Sequence, residues 1–306
     1  MDYISIKEAS KKWGISDSRI RLLCRKGRIE GAVKIGRNWA IPCDSVKPID
    51  GREVINKEYL GLEYDFNIID SLKEKIDELR PFSKQLADSL HEKIVVEWTY
   101  NSNAIEGNTL TMSETKVVLE GITIGGKTMV EHLETINHRD AILFIEDLVS
   151  NKEQISEWNI RTIHSLILKE IDNKNAGRYR TENVLISGAK HIPPMHYEIT
   201  DLMQELIEEY DNNWEAYHPV VRATLLHGEF VKIHPFIDGN GRTARLLLNF
   251  ELMRNGYTPI IIKNEDRAKY YEVLDIAHTT TNYKPFIKLV SELVVESEKL
   301  WLSLLE

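Results

Sequence analysis

The stretch His234 to Arg245, HPFIDGNGRTAR, brings one histidine, one aspartate, an asparagine between two glycines, and two arginines into a dozen positions. Folding alone has no need of that set. Gly239 and Gly241 flank Asn240, so the backbone can turn through positive φ and aim its N–H groups at an anion. Thr243, Ala244, Leu246, Leu247, Leu248, Phe250 and Leu252 follow as a helix, which puts the cradle at a helix N-terminus, where the dipole favours phosphate. Arg242 and Arg245 lie one turn apart and can reach different phosphates of one polyphosphate as forked donors. Asp238 offers the hard oxygen that Mg2+ between phosphates requires. His234 is the side chain here that takes a proton near neutral pH. A Gly-Asn turn opening an amphipathic helix with solvated arginines is the bland alternative. GNG alone would allow it; the whole set favours a nucleotide site.

The run fits H-x-F-x-D/E-G-N-G-R-x-x-R at every defined position, and in this it resembles the Fic domain family. The resemblance implies a mainly α fold, a Fic-type helical domain carrying a β-hairpin flap, with ATP as substrate and Mg2+ as cofactor. It implies AMPylation, in which a Ser, Thr or Tyr hydroxyl of a target protein attacks the α-phosphate of ATP and pyrophosphate leaves. His234 would be the general base, and Asp238 would hold Mg2+ across the α- and β-phosphates. The amides of Gly239, Asn240 and Gly241 would stabilise charge developing on the α-phosphate, Arg242 and Arg245 would clamp the rest, and Phe236 would anchor the loop in the core. Family members that transfer a γ-phosphate have lysine in place of Gly241 and alanine in place of Gly239, so nucleotidyl transfer is favoured.

At 306 residues the chain can form one large domain or two. Charge divides unevenly: Met1 to Asp50 holds eleven Lys/Arg against six Asp/Glu, net +5, leaving −14 of the overall −9 to the remainder. Cys24 and Cys43 have no Cys or His at metal-ligand spacing and read as buried free thiols of a cytoplasmic protein. No apolar run approaches the ~20 residues of a membrane span, and Met1 opens on patterned sequence without a signal peptide.

Residues 1–48 are expected to form a small basic module. Ile6, Ala9 and Trp13, then Gly14-Ile15-Ser16, then Ile20, Leu22 and Leu23 read as helix, tight turn, helix, with Ser16 as cap and Gly14 as the left-handed residue. Val33, Ile35, Trp39 and Ile41 alternate about Gly36-Arg37-Asn38 as a hairpin wing. The pattern resembles an excisionase-like or MerR-like winged helix-turn-helix, with Ser18 to Arg25 as recognition helix. Arg19, Arg21 and Arg25 would contact DNA; a solvated face or a protein-binding module is the alternative. Residues 49–64 form a linker and 65–306 the Fic domain, of which 89–297 is the core.

Ile68, Leu72, Ile76 and Leu79 recur at helical spacing up to Pro81, and Leu86 to Trp98 continue a second helix toward Asn101. It ends in NSNAIEGN, where Ser102 and Glu106 share a face and Gly107 stops the helix. Beside a Fic signature this resembles the inhibitory motif S/T-x-x-x-E-G/N, implying that Glu106 pairs with Arg245 in place of a γ-phosphate. In related enzymes the same glutamate positions water for the reverse reaction, so de-AMPylation is a second activity the resemblance implies. Gly121 to Thr128, GITIGGKT, fits the P-loop pattern, which would need a strand before it. Helical period on both sides favours a helix–helix loop instead.

Trp158, Ile160, Ile163, Leu166 and Ile167 make a helix in which His164 reads as a core histidine. Ala176 to Pro194 switches to alternation and is expected as a β-hairpin; it resembles the Fic flap, whose Val184, Leu185, Ile186 and Ser187 would dock a target's extended segment. His227 shares a helix face with His234, but a metal pair would need two further ligands. Of Tyr270 and Tyr271, the resemblance points to Tyr270 as an adenosine contact. His278 stands where the metazoan Fic enzymes of the endoplasmic reticulum, which this span particularly resembles, carry Asn; those enzymes also have a signal-anchor and helical repeats ahead of the domain. The last helix could pack on the domain or make a homodimer contact. The rival reading from another class is a nucleotide-sensing transcription regulator without turnover.

Overall fold

The computed structural model describes residues 2–14, 17–25, 27–36, 38–47 and 66–305. They divide into two compact units, Met1–Gly61 and Leu62–Glu306.

In the first unit, β1 (Tyr3–Ser5) runs straight into α1 (Ile6–Trp13), followed by α2 (Asp17–Arg25), β2 (Val33–Ile35) and β3 (Asn38–Pro42). Ser5 accepts from the Glu8 amide while Glu8 reaches back to the Ser5 amide, and Gly14 at φ 66° closes α1. The strands are antiparallel in the order β1-β3-β2, with Ile35 opposite Asn38 across the turn. Three-residue β1, pairing Tyr3 with Pro42, is too short to show alternation and is an addition to the expected hairpin. Ala9, Trp13, Ile20, Leu23, Cys24, Ile29 and Ile41 form the core. Cys24 is buried, which pushes its thiol up to about 11, but Cys43 is exposed, against expectation. Arg21 is exposed. The side chains of Ser18, Arg19 and Arg25, the capping role of Ser16, Arg37 in the wing and the linker at 49–64 lie outside the described residues.

The second unit is helical: α3 (Phe66–Glu78), α4 (Lys84–Ile105), α5 (Met112–Leu119), α6 (Met129–Ser150), α7 (Glu157–Ile167), α8 (Ile199–Asn213), α9 (Pro219–Ile233), α10 (Asn240–Arg254), α11 (Arg267–Thr280) and α12 (Lys284–Leu305). Helix α10 lies at the centre; apart from half-buried Gly241, every residue from Asn240 to Leu252 is buried. A helix buried on all sides has to find partners for its polar residues as well as cover its apolar ones, and each of its buried leucines contributes about 1.5–3 kcal/mol. Helices α9, α6, α7 and α4 surround it. Not every periodic position faces in: Ile68 is exposed on α3, where Ile69 and Ile76 are buried, Leu79 is exposed just past its end, and Trp158 is 67% exposed on α7.

The loop Gly121 to Thr128 joins α5 to α6, with no strand before it, and Thr128 caps α6 through the Glu131 amide. Lys127 Nζ is held by Thr109 Oγ1 at 3.0 Å. This is a helix–helix connection and not a P-loop.

One expectation fails here. Between Arg178 and Met195 there is no strand, so the segment is no β-hairpin. Val184 and Ile186 are half-buried, Leu185 is 81% exposed and Ser187 is exposed, so the alternation is real, but no second edge pairs with it. Side-chain hydrogen bonds to backbone carbonyls hold the segment instead.

Candidate active site

Helix α9 ends at His234, which caps it in the left-handed region at φ 51°, ψ 58°. For a residue with a Cβ that conformation is strained and marks a site worth explaining. Burial pushes the His234 imidazole down to about 4, so it is neutral at physiological pH. Its Nδ1 has no hydrogen-bond partner among the described residues. Pro235 and Phe236 follow, the latter fully buried. Asn240 ties the turn to itself: its Oδ1 accepts from the Phe236 amide at 3.0 Å and its Nδ2 donates to the Phe236 carbonyl at 2.9 Å. Gly239, at φ 75°, is the N-cap of α10 and supplies no side-chain cap. The first amides of α10 therefore face outward as an anion cradle.

That cradle is covered by a carboxylate of the same chain. Arg245, 4% exposed, donates from Nε to Ser102 Oγ at 3.0 Å and from Nη2 to Glu106 Oε1 at 2.8 Å. Its Nη2 also donates to the Ser102 carbonyl at 2.7 Å. A Cβ built on Gly241 would collide with Glu106 Oε1 and approach Arg245 Nη1 to 3.1 Å, so Glu106 stands directly over the cradle. A negative oxygen there is stabilised by the α10 dipole as a phosphate oxygen would be. Arg242 is 2% exposed; it bonds Glu134 Oε1 at 2.9 Å and Asp238 Oδ2 at 3.1 Å. It thus braces Asp238 in this structure and does not project into the cleft.

Asp238 is 66% exposed and has one oxygen left open. Among the described residues no group of three His, Cys, Asp or Glu could hold an ion. A single open carboxylate fits Mg2+ held mostly by phosphate oxygens and water, and does not fit a resident metal centre or a His227–His234 pair.

His164, read from sequence as a core histidine, is buried as expected, and together with Arg180, which the sequence reading passed over, it holds the loop. His164 takes the Gly177 amide at Nδ1 (2.9 Å) and meets the Asp238 carbonyl at Nε2 (2.9 Å). A carbonyl only accepts, so the ring is the neutral Nε2–H tautomer, and burial, which pushes it down to about 4, keeps it so. The ring stacks on Phe236 at 3.6 Å and 2°. Arg180, 3% exposed, donates to the His234 carbonyl at 2.9 Å and to the Glu182 and Pro194 carbonyls at 2.8 and 2.6 Å. No local pattern announces their hold on the loop, since the Asp238 and His234 carbonyls they bond lie 74 and 54 positions away.

Tyr270, the ring expected to contact adenosine, is 1% exposed, with its hydroxyl 2.8 Å from His227 Nε2. Tyr271 is 39% exposed and lies under the Arg267 guanidinium at 5.2 Å. His278 is 8% exposed, donates to the Gly228 carbonyl at 3.0 Å and meets the His191 ring at 5.2 Å.

A left-handed histidine before an amide cradle, an open aspartate and a paired arginine are thus gathered at the start of one buried helix. Residues 154–252 match the Fic/DOC family. A Fic domain containing signaling protein from Bacteroides thetaiotaomicron superposes with a TM-score of 0.72 at 31% identity, over 78% of this chain and 96% of that one. Fic-1 from C. elegans gives 0.70 at 29% identity, over 82% and 74%. The protein adenylyltransferase Fic of Nematostella vectensis is 34% identical over 265 residues, 81% of this chain, and that of Drosophila willistoni 36% identical over 205 residues, 66% of this chain. This chain spans 59% and 41% of the length of those two relatives. The chain belongs to the Fic/DOC family.

Proposed function

We propose that the protein transfers AMP from ATP to a Ser, Thr or Tyr hydroxyl of a target protein. The carrying observation is the neutral His234, held in the left-handed cap of α9, five positions before the Gly239 N-cap of α10, with Glu106 Oε1 over Gly241 where a phosphate oxygen would sit. His234 takes the proton of the target hydroxyl as that oxygen attacks the α-phosphate. The amides of Gly239, Asn240 and Gly241 receive the charge that develops there, and Arg245 binds the far end of the polyphosphate. Asp238, braced by Arg242, would hold Mg2+, which when bound neutralises charge across the phosphates. Segment 184–187, with its open edge at Val184 to Ser187, offers a target an extended backbone to pair with.

Glu106 autoinhibits in this reading, since its carboxylate and a γ-phosphate want the same arginine; the reverse reaction, de-AMPylation, falls within the same geometry. The names of the curated relatives, protein adenylyltransferase Fic, support the assignment. The test is labelling of a bacterial-type lysate with ATP carrying 32P at the α or the γ position. Transfer of the α label by Glu106→Gly, absent from His234→Ala, supports it; transfer of the γ label alone refutes it.

For the first unit we propose a winged helix-turn-helix that binds DNA, on its net charge of +5 over Met1 to Asp50, the exposed Arg21 and the β2–β3 hairpin. DNA affinity that does not fall with salt would refute it. A cytoplasmic location agrees with the two free thiols, and among the described residues no helix is long and apolar enough to cross a membrane. Self-association through α12 is tested by sedimentation of the full chain.

A further inference from the structure

Arg180 is nearly fully buried, yet among the described residues its guanidinium makes no ion pair that would explain a buried cation; it is used on carbonyl oxygens. Those carbonyls are not a random set. Glu182 and Pro194 lie at the two ends of the irregular segment 182–194, and His234 is the strained C-cap of α9. The Arg180 amide adds a bond to the Pro235 carbonyl at 2.9 Å. One planar fork therefore fixes the separation of the two ends and the backbone of His234 together. Arginine is suited to this because its donors diverge from a rigid plane; a lysine keeps the charge but has one nitrogen on a flexible stem. Helix caps are usually satisfied locally, so a guanidinium recruited from 54 positions away is more than the cap requires.

We propose that Arg180 is a positioning residue that couples the seating of a target on segment 182–194 to the placement of His234. The proposal rests on the functional reading above. A target strand that draws the ends together shifts the Glu182 and Pro194 carbonyls, and the shared fork carries the displacement to the His234 backbone. Arg180 touches neither nucleotide nor target hydroxyl; it acts through His234.

The test uses the full chain labelled with 15N-histidine, with the His234 signals assigned by difference against His234→Ala. Arg180→Lys is expected to shift the His234 ring signals and leave those of His218, which bonds Asp70, in place. Pro194→Gly, which leaves the Arg180 side chain untouched but loosens the backbone that carries one carbonyl it holds, is expected to move the same His234 signals, and it decides the matter if Arg180→Lys does not fold. In a Glu106→Gly background, Arg180→Lys should lower kcat for α-label transfer about 10- to 100-fold while KM for ATP stays within about twofold. Unchanged His234 signals in folded variants, or a raised KM with kcat intact, overturn the proposal. If Glu106→Gly transfers no label, the functional reading falls, and the NMR arms still judge the coupling.

Discussion

Arg245 Nη2 holds Glu106 Oε1 at 2.8 Å, and that oxygen lies where a Cβ on Gly241 would have to go. In the proposed reading the pair and the cradle are one object, with the carboxylate and an entering phosphate competing for the same place. Arg245 keeps two bonds to Ser102 when Glu106 leaves, so it remains aimed at the cleft.

Glu106→Gly is therefore expected to raise α-label transfer at least tenfold, in line with 1.4 kcal/mol per decade, while costing only about 1–2 kcal/mol of stability. The stability cost is small because Glu106 is about one-third exposed and the Ser102 contacts persist. Labelling and a urea melt of the same preparations decide it; equal labelling by wild type and variant refutes the plug.

His164, His234 and His278 are each pushed down to about 4 by burial. Their folded-state values lie below the ordinary ~6.5 of an unfolded histidine, so the unfolded chain takes up protons first as pH falls. The stability these neutral rings contribute is full above about 6.5 and is lost progressively toward pH 4. The urea midpoint should decline across that window. The acid limb of kcat/KM should likewise sit near the His234 value of about 4, not near 6.5.

His164→Ala removes a fully buried ring, its stack on Phe236 and two hydrogen bonds. A loss of about 2–4 kcal/mol in unfolding free energy is expected. A melt unchanged from wild type would show that the loop is held by other means.

Asp238→Asn keeps the side-chain shape but removes the open anionic oxygen. The Mg2+ concentration for half-maximal transfer should rise about tenfold or more, with ATP binding in the absence of Mg2+ little changed. Metal titrations at fixed ATP measure it, and an unaltered Mg2+ requirement would place the ion elsewhere.

The cradle could be read from sequence because its chemistry is contiguous: twelve residues carry turn, helix start and charge together. The helices were legible for a related reason, since period is a local property, and Ser102 and Glu106 were found because they too sit in one short run. What escaped is tertiary. His164 looked like any core histidine, and Arg180 like any charged residue in a loop. Alternation at Val184 to Ile186 predicted a strand, but a strand also needs a partner edge, which no local pattern supplies. Tyr270 and Tyr271 are adjacent, about 100° apart around a helix, so the resemblance could name the pair but not which ring faces in.

Gly239 packs on His164: a Cβ there would lie 3.2 Å from the ring, in a backbone conformation that already disfavours side chains. Gly241 is confined from the opposite side by Glu106. Alanine and lysine, the residues that resemblance assigns to γ-phosphate transfer, meet an obstacle from a different helix at each place. Under the proposed reaction, a change in the transferred group would therefore be felt in α7 through His164 and at the end of α4 through Glu106, as well as in the loop itself.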